Sequence, residues 1–145
     1  MKTVLPIDVV TLGEDNSFHL FVGGVINGSP CDLLIDTGAS HTIFDAALIP
    51  EAPACATEGQ EIQSAGIHAG EVKSSIGIIE KFALGDLTRT NWTVVLIDLT
   101  HVNELYMKFT DKRVTGLIGS DFLLRHQAMI DYRRKELTLR NIRAT

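Results

Sequence analysis

The sequence predicts an all-β protein of one domain, residues 1–145. Short apolar runs separated by Gly, Asn, Asp and Pro recur along most of the chain, and this arrangement is typical of strands joined by turns. One segment places Ile76, Ile78, Phe82 and Leu84 on one face of a period-two pattern, which also indicates a strand. Helical signals are few. A chain of 145 residues is long enough to bury one hydrophobic core.

The first elements are predicted to be two successive hairpins. Residues 7–12 and 18–25 flank the polar turn sequence Gly-Glu-Asp-Asn and form the first one. Asn27 and Gly28 both tolerate positive φ, so they predict a tight turn into a third strand, residues 31–35. That strand ends in a continuous Leu-Leu-Ile run, which indicates that it is buried.

The second half of the chain is predicted to contain further strands and one short helix. A turn at residues 85–86 precedes a β-rich run over residues 92–99. Residues 100–109 fit either a helix or an irregular excursion. Ser120 is the predicted N-cap of a C-terminal helix over residues 121–126. The last strands, 129–132 and 137–139, flank a basic turn that we interpret as solvated rather than as a phosphate-binding patch.

A carboxylate stands at the end of the predicted buried strand. Asp36 directly follows the apolar run, and an Asp in this position without a basic neighbour needs hydrogen-bond partners or a function. Gly38 permits close backbone approach, while Thr37 and Ser40 supply hydroxyls that are able to bond the loop or the carboxylate. Two interpretations stay open at this point, a catalytic Asp36 or a turn residue satisfied by local amides.

The order of strand, hairpin, strand and acidic loop in residues 25–40 resembles the retropepsin-like aspartic peptidases. Their catalytic loop reads Asp, Thr or Ser, Gly, then Ala or Ser, as residues 36–39 do here. Residues 116–123, Gly-Leu-Ile-Gly-Ser-Asp-Phe-Leu, resemble the second signature of that family, a strand, a glycine and a short helix. The resemblance implies a closed β-barrel-like retropepsin (acid protease) fold with one short C-terminal helix and a flap hairpin.

The resemblance also implies an aspartic endopeptidase that acts on peptides or unfolded proteins. Such enzymes use two carboxylates around one water, and this chain has one Asp-Thr-Gly, so the implied active species is a homodimer with Asp36 from each copy. The supporting loop residues are Thr37, Gly38, Ala39 and Ser40. By this resemblance Thr37 interlocks with the partner's loop and the Gly38 N–H bonds the carboxylate. No cofactor or metal is expected.

A glycine-rich interval, residues 58–79, falls where this family carries its flap. Ala65, Gly66, Ile67 and His68 lie at its centre and are the candidate substrate-binding residues. The composition fits a flexible hairpin, because few bulky groups anchor it. An ordinary surface hairpin is the alternative.

The sequence departs from the retroviral branch at the positions of a supporting ion pair. Ser40 and His41 stand where many retroviral enzymes have acids, and Ser120 stands where they have Arg. Because both members differ together, no unpaired buried ion is predicted. The contacts that support the dimer are therefore expected to differ from theirs. Asp121 is interpreted as a first-turn helix acid favoured by the helix dipole.

Composition excludes several other classes of function. A net charge of −5 gives no reason to expect nucleic acid as a partner. Cys31 and Cys55 lack the spacing of a disulfide framework or a zinc site, and the five histidines show no ligand pattern. No segment is long and apolar enough for a membrane span or a secretory leader, so we expect a cytoplasmic protein; export is the alternative if a signal peptide precedes this sequence.

Two other functions are alternatives to the peptidase. A catalytically silent dimer of the same fold would bind extended peptide by strand addition, and it shares every fold-level feature of the enzyme. Phosphoryl transfer with Asp36 as the nucleophile would need Mg²⁺ ligands and a phosphate-cradling loop, and the sequence offers no convincing set.

Overall fold

The computed structural model describes residues 1–13, 16–49 and 73–142. These residues form ten strands and two helices. In chain order they are β1 (Lys2–Pro6), β2 (Asp8–Val10), β3 (His19–Ile26), β4 (Ser29–Ile35), β5 (Ile43–Asp45), β6 (Ser74–Leu84), β7 (Leu87–Ile97), α1 (Thr100–Phe109), β8 (Val114–Ile118), α2 (Ser120–Arg125), β9 (Met129–Asp131) and β10 (Glu136–Arg140).

Six strands close into a barrel. They lie side by side in the order β3, β4, β8, β5, β7, β6, and β6 pairs again with β3 through Val25 with Ala83 and Ile26 with Phe82. The β4–β8 and β5–β7 pairs are parallel, whereas the other pairs are antiparallel. Closure removes the free edges that an open sheet would expose. The predicted all-β, closed barrel-like fold is therefore confirmed.

Strand β4 lies between β3 and β8 in this barrel, and its last three residues are buried on both faces. Leu33 and Ile35 point into the main core, while Leu34 points into a second cluster that includes Phe21 and Tyr106. A strand covered on both sides needs apolar residues at consecutive positions, which explains the Leu-Leu-Ile run. The predicted buried strand before Asp36 is confirmed.

The predicted early hairpins are also confirmed. β2 pairs antiparallel with β3, and β3 pairs antiparallel with β4 up to Ile26 opposite Ser29. Asn27 and Gly28 have φ values of 49° and 85°, which is the left-handed geometry that a two-residue hairpin turn requires. The turn chemistry therefore determines where β4 begins.

The predicted strand is present as β6, but the prediction that Ile76, Ile78, Phe82 and Leu84 lie on one face was wrong. Ile78 is 43% exposed, whereas its neighbour Ile79 is fully buried, and the buried face resumes at Phe82 and Leu84. The β6–β7 ladder lacks a pair between Glu80 and Asn91, and Asn91 has a φ of 48°. This local break changes the face that the side chains point to, so the period-two pattern is out of phase on its two sides.

Residues 100–109 are a helix, which decides between the two interpretations of the sequence. Helix α1 is anchored by the buried carboxylate of Asp45, which accepts hydrogen bonds from Leu99 N (3.3 Å) and Asn103 Nδ2 (3.2 Å). Asn103 Oδ1 also accepts from Val114 N at 2.6 Å, and its Nδ2 donates to Val114 O at 3.1 Å. Asp45 and Asn103 are 1% and 5% exposed, so these bonds satisfy polar groups that have little access to water.

A three-stranded sheet joins the two ends of the described chain. β1 pairs with β10, and β10 pairs with β9, so the predicted last hairpin is confirmed. Thr3 and Leu5 are buried while Val4 is exposed, an alternation too short to have been recognised in the sequence. In the described part of the chain, neither helix is long or apolar enough to cross a membrane.

The end of α2 is fastened by a buried histidine. His126 is 2% exposed, its Nδ1 lies 2.9 Å from Arg140 O, and its Nε2 lies 3.0 Å from Arg89 Nη2. The Arg89 guanidinium lies over the rings of Trp92 and Phe122, 4.7 and 5.3 Å from their centroids. Because a guanidinium only donates, the Nε2 atom must accept, so His126 is neutral in this arrangement.

Protonation of His126 is therefore expected to weaken the fold. Burial lowers the pKa of His126, and the nearby cations of Arg89 and Arg125 lower it further, against the raising effect of the bond to Arg140 O. The unfolded chain then binds the proton more readily than the folded one. Stability should thus be complete above the ordinary histidine pKa of about 6.5 and fall as the pH drops below it.

We predict that His126→Gln reduces this acid sensitivity, because Gln keeps an acceptor for Arg89 but does not titrate. The difference in unfolding free energy between the native protein and the variant should shrink as the pH falls from about 7 to 5. Urea unfolding at several pH values measures it. His101→Gln is the control, since the His101 side chain is 99% exposed. Parallel pH curves for native protein and His126→Gln would contradict the prediction.

The link between β8 and α2 passes against another backbone segment at Gly119. A Cβ added to Gly119 would lie 2.8 Å from both C and O of His41 and 2.9 Å from Ala39 O. These are backbone atoms that are unable to move without displacing the chain around residues 39–41. The glycine is therefore required by a close crossing of two chain segments.

We predict that Gly119→Ala destabilises the protein by about 1 to 3 kcal/mol, the usual range for overpacking a buried contact. Gly23→Ala is the matched control, because a Cβ at Gly23 would meet nothing within 4 Å, and its effect should stay within about 0.5 kcal/mol. Thermal and urea unfolding measure both. Equal stability of the two variants would show that the crossing has room for a methyl group.

Candidate active site

The Asp36 loop begins where β4 ends. The backbone N–H of Asp36 donates to Ile118 O at 2.9 Å, and this bond continues the pairing of β4 with β8 by one residue. The Gly38 N–H donates to Asp36 Oδ1 at 3.0 Å, and the Ala39 N–H donates to Asp36 O at 3.2 Å. The loop therefore folds back on its own carboxylate. Asp36 is half-buried, so one side of the carboxylate remains open.

The residues after Asp36 divide between core and surface. Ala39 is 1% exposed and packs in the second core cluster with Leu34 and Leu117. Thr37, Gly38 and Ser40 are exposed. Ala39 thus anchors the loop, while the residues on either side of it present their backbone and hydroxyls to the surroundings of the carboxylate.

The start of α2 holds the loop from the side. Ser120 N donates to Ala39 O at 2.8 Å, and Ser120 Oγ donates to Thr37 O at 2.7 Å. The prediction that Ser120 is the helix N-cap was wrong, because the N-cap is Gly119 and no side chain caps the helix. The Ser120 hydroxyl bonds a carbonyl 83 residues away instead.

A second set of bonds joins the chain after the loop to the same helix. Thr42 N and Thr42 Oγ1 donate to the Asp121 carboxylate at 3.1 and 2.7 Å. Thr42 Oγ1 in turn accepts from Gly119 N at 3.0 Å, and Asp121 Oδ1 accepts from Phe122 N at 2.8 Å. Asp121 is therefore a first-turn helix acid, as predicted, and also a bridge to residue 42 that the sequence did not reveal.

These hydrogen bonds of Ser120, Thr42 and Asp121 lie where the retroviral enzymes have the supporting ion pair that this sequence lacks. Ser40 and Ser120 carry no charge, and among the residues that the structure describes His41 forms no ion pair. The loop is supported by backbone and hydroxyl groups at this place. The simultaneous change of both ion-pair positions is consistent with this geometry.

A cavity of about 430 Å³ opens beside Asp36 and Thr37. Its walls include His19 from β3 and Tyr106 from α1, with Tyr132 near the rim. The sequence did not single out Tyr106, because residues 100–109 allowed an irregular segment, and His19 looked like an ordinary polar residue. The only available signal was that Val102, Asn103 and Tyr106 share helical spacing.

The remaining predicted site residues lie outside the described part of the chain. Ala65, Gly66, Ile67 and His68, the candidate flap residues, belong to this group, and so does Cys55. Within residues 1–13, 16–49 and 73–142, no three His, Cys, Asp or Glu side chains are grouped in a way that could hold a metal ion.

One of two similar solved structures, with a TM-score above 0.5, shows the same fold. The retroviral protease-like domain of Ddi1 from Leishmania major is 23% identical to this chain, with a TM-score of 0.51 over 86% of this chain and 90% of that one. A retropepsin-like aspartic protease from Rickettsia conorii is 15% identical, with a TM-score of 0.49 over 96% of this chain and 92% of that one. No curated protein matches the chain by sequence.

A family model described as aspartyl protease matches residues 22–122, which is more than half of the chain. The match begins in β3, includes the Asp36 loop and ends in α2, so it contains both segments that the hydrogen bonds join. The resemblance found in the two sequence signatures is thereby confirmed, and this chain belongs to the aspartyl protease family.

Proposed function

We propose that the protein is an aspartic endopeptidase that hydrolyses peptide bonds as a homodimer. The observation that carries the proposal is the Asp36 carboxylate, half-buried at the end of a core strand and held by the Gly38 N–H at 3.0 Å. Its surroundings are exposed at Thr37, Gly38 and Ser40, so a second chain is able to approach it. Family membership supports this class of reaction.

The proposed reaction needs two carboxylates that share one proton around a water molecule. The ionised carboxylate accepts a proton from the water as its oxygen attacks the peptide carbonyl. The protonated carboxylate donates to the carbonyl oxygen, and a proton then passes to the leaving amine. The Gly38 N–H bond holds one oxygen of Asp36 in place, and the other oxygen would serve the water.

The second carboxylate would come from a second copy of the chain. The chain contains one Asp-Thr-Gly sequence, and twofold dimers bring the same residue of each copy to the axis. Thr37 and its neighbours are exposed around Asp36, so an axis beside this loop would bury them between the copies. The expected substrate is an extended peptide or an unfolded protein, because the reaction requires access to the backbone.

We predict that Asp36→Asn abolishes hydrolysis of an unfolded protein and leaves the fold intact, since an amide of nearly equal size replaces the carboxyl group. In a homodimer the substitution removes both carboxylates, so the rate should fall by at least about 100-fold, the value of one essential acid–base group. Digestion followed by mass spectrometry measures this, with Asp111→Asn, an exposed residue, as the control. Unchanged turnover by Asp36→Asn would refute the assignment. Peptide binding by the native chain without any cleavage would favour the silent module.

We also predict that activity belongs to the dimer, because one chain supplies half of the carboxylates. Specific activity should fall on dilution through the dissociation constant that sedimentation gives. An excess of Asp36→Asn added to the native chain should suppress activity as mixed dimers form, while Asp111→Asn should not. Full activity of a monomer at every concentration would contradict the mechanism.

A further inference from the structure

The cavity beside Asp36 has the size and lining of a ligand-binding site. Its volume of about 430 Å³ falls within the usual range for such sites, roughly 300 to 1,000 Å³. Leu20, Leu34 and Ile130 supply apolar wall, and Asp36 and Thr37 form one side. A side chain bound here would lie next to the carboxylate.

One wall of the cavity is polar and rigid. The Tyr106 hydroxyl lies 2.9 Å from His19 Nδ1, and His19 Nε2 lies 3.2 Å from Ser17 Oγ. The Tyr106 ring meets His19 and Phe21 edge to face, with centroids 5.4 and 5.3 Å apart. Tyr106 is 4% exposed, so its hydroxyl is fixed in place before any ligand enters.

Within residues 1–13, 16–49 and 73–142, this pair leaves one hydrogen-bonding position open on the Tyr106 oxygen. A neutral histidine has one N–H, so either Tyr106 donates to Nδ1 and keeps a free acceptor site, or Nδ1 donates and the Tyr106 O–H is left free. Among the described residues, His19 is the one hydrogen-bond partner of this hydroxyl. An incompletely bonded buried hydroxyl favours a ligand that completes its bonding.

The Tyr106 phenol is close enough to Asp36 for the charge of the carboxylate to affect it. Burial raises the pKa of Tyr106 to about 12, and the charge of Asp36 contributes to this increase. Tyr106 therefore stays protonated at neutral and acidic pH. It bears no charge that would repel a peptide or the Asp36 carboxylate.

We propose that this cavity binds a substrate side chain beside the scissile bond, and that the Tyr106–His19 pair selects tyrosine over phenylalanine there. The inference rests on the proposed peptidase function. A phenol ring fits the apolar walls, and its hydroxyl is able to donate or to accept, so it matches either tautomer of His19. A phenylalanine ring fills the same space but leaves the Tyr106 hydroxyl without that bond.

Selectivity of this kind is measured with two peptides. A peptide found to be cleaved in the protein digest is synthesised with Tyr or Phe at each residue next to the cleaved bond. We expect native kcat/KM to be about three- to tenfold higher for Tyr at one of these positions, the value of one neutral hydrogen bond. Equal values for the two peptides at both positions would overturn the inference.

Two variants test whether the Tyr106 hydroxyl causes the preference for the Tyr peptide. Tyr106→Phe should remove the preference, because kcat/KM falls more for the Tyr peptide than for the Phe peptide. Thr88→Val removes an exposed hydroxyl from β7, a strand that contributes no residue to the cavity lining, and should keep the preference. Retention of the preference in Tyr106→Phe would refute the role of the pair.

A binding measurement separates this inference from the proposed reaction. The two ligands are N-acetyl-tyrosinamide and N-acetyl-phenylalaninamide, and their binding to Asp36→Asn is measured by NMR chemical shifts of the cavity residues. This measurement requires no hydrolysis. Tighter binding of the tyrosine compound that is lost in the double variant with Tyr106→Phe would support the selectivity, even if the native chain cleaves no peptide. Cleavage by the native chain, with equal binding of both compounds, would refute the selectivity and leave the peptidase proposal standing.

Discussion

The Asp36 loop depends on its hydrogen bonds to the start of α2. Asp36 lies at the end of a buried strand, and in the described residues no strand pairs with the turn that follows it. Ser120 donates to Thr37 O, and Thr42 donates to Asp121, so the loop is bonded to α2 on both sides of Ala39. The two sequence signatures are therefore two parts of one structure, and the close crossing at Gly119 allows them to meet.

Helix α1 is a second support with a different anchor. The buried Asp45 carboxylate accepts N–H groups from the backbone and from Asn103, which satisfies its charge without a paired cation in the described residues. This anchor fixes α1 beside β8, and Tyr106 then packs on Phe21 and reaches His19. The Tyr106–His19 side of the cavity and the Asp36 loop thus lie on separate elements, so substitutions could alter one while preserving the other.

Symmetry links the two proposals. In a twofold dimer with Asp36 at its axis, each copy contributes one carboxylate and one cavity, and the two cavities lie on opposite sides of the axis. A bound peptide has a direction and is not symmetric, so its residues on either side of the scissile bond would meet equivalent cavities in different orientations. A preference for tyrosine at one of the two positions is compatible with this arrangement.

The sequence by itself determined the β3–β4 hairpin, its turn and the position of Asp36, because Leu33-Leu34-Ile35 and Asn27-Gly28 act through local burial and backbone geometry. Only the tertiary structure decided the contacts of Ser120, Asp45 and Tyr106. Their partners lie 83, 58 and 87 residues away in the sequence, and no local preference encodes which distant group will be within reach. Ser120 shows the reason, since its hydroxyl favours capping locally but bonds the Thr37 carbonyl that the folded barrel places beside it.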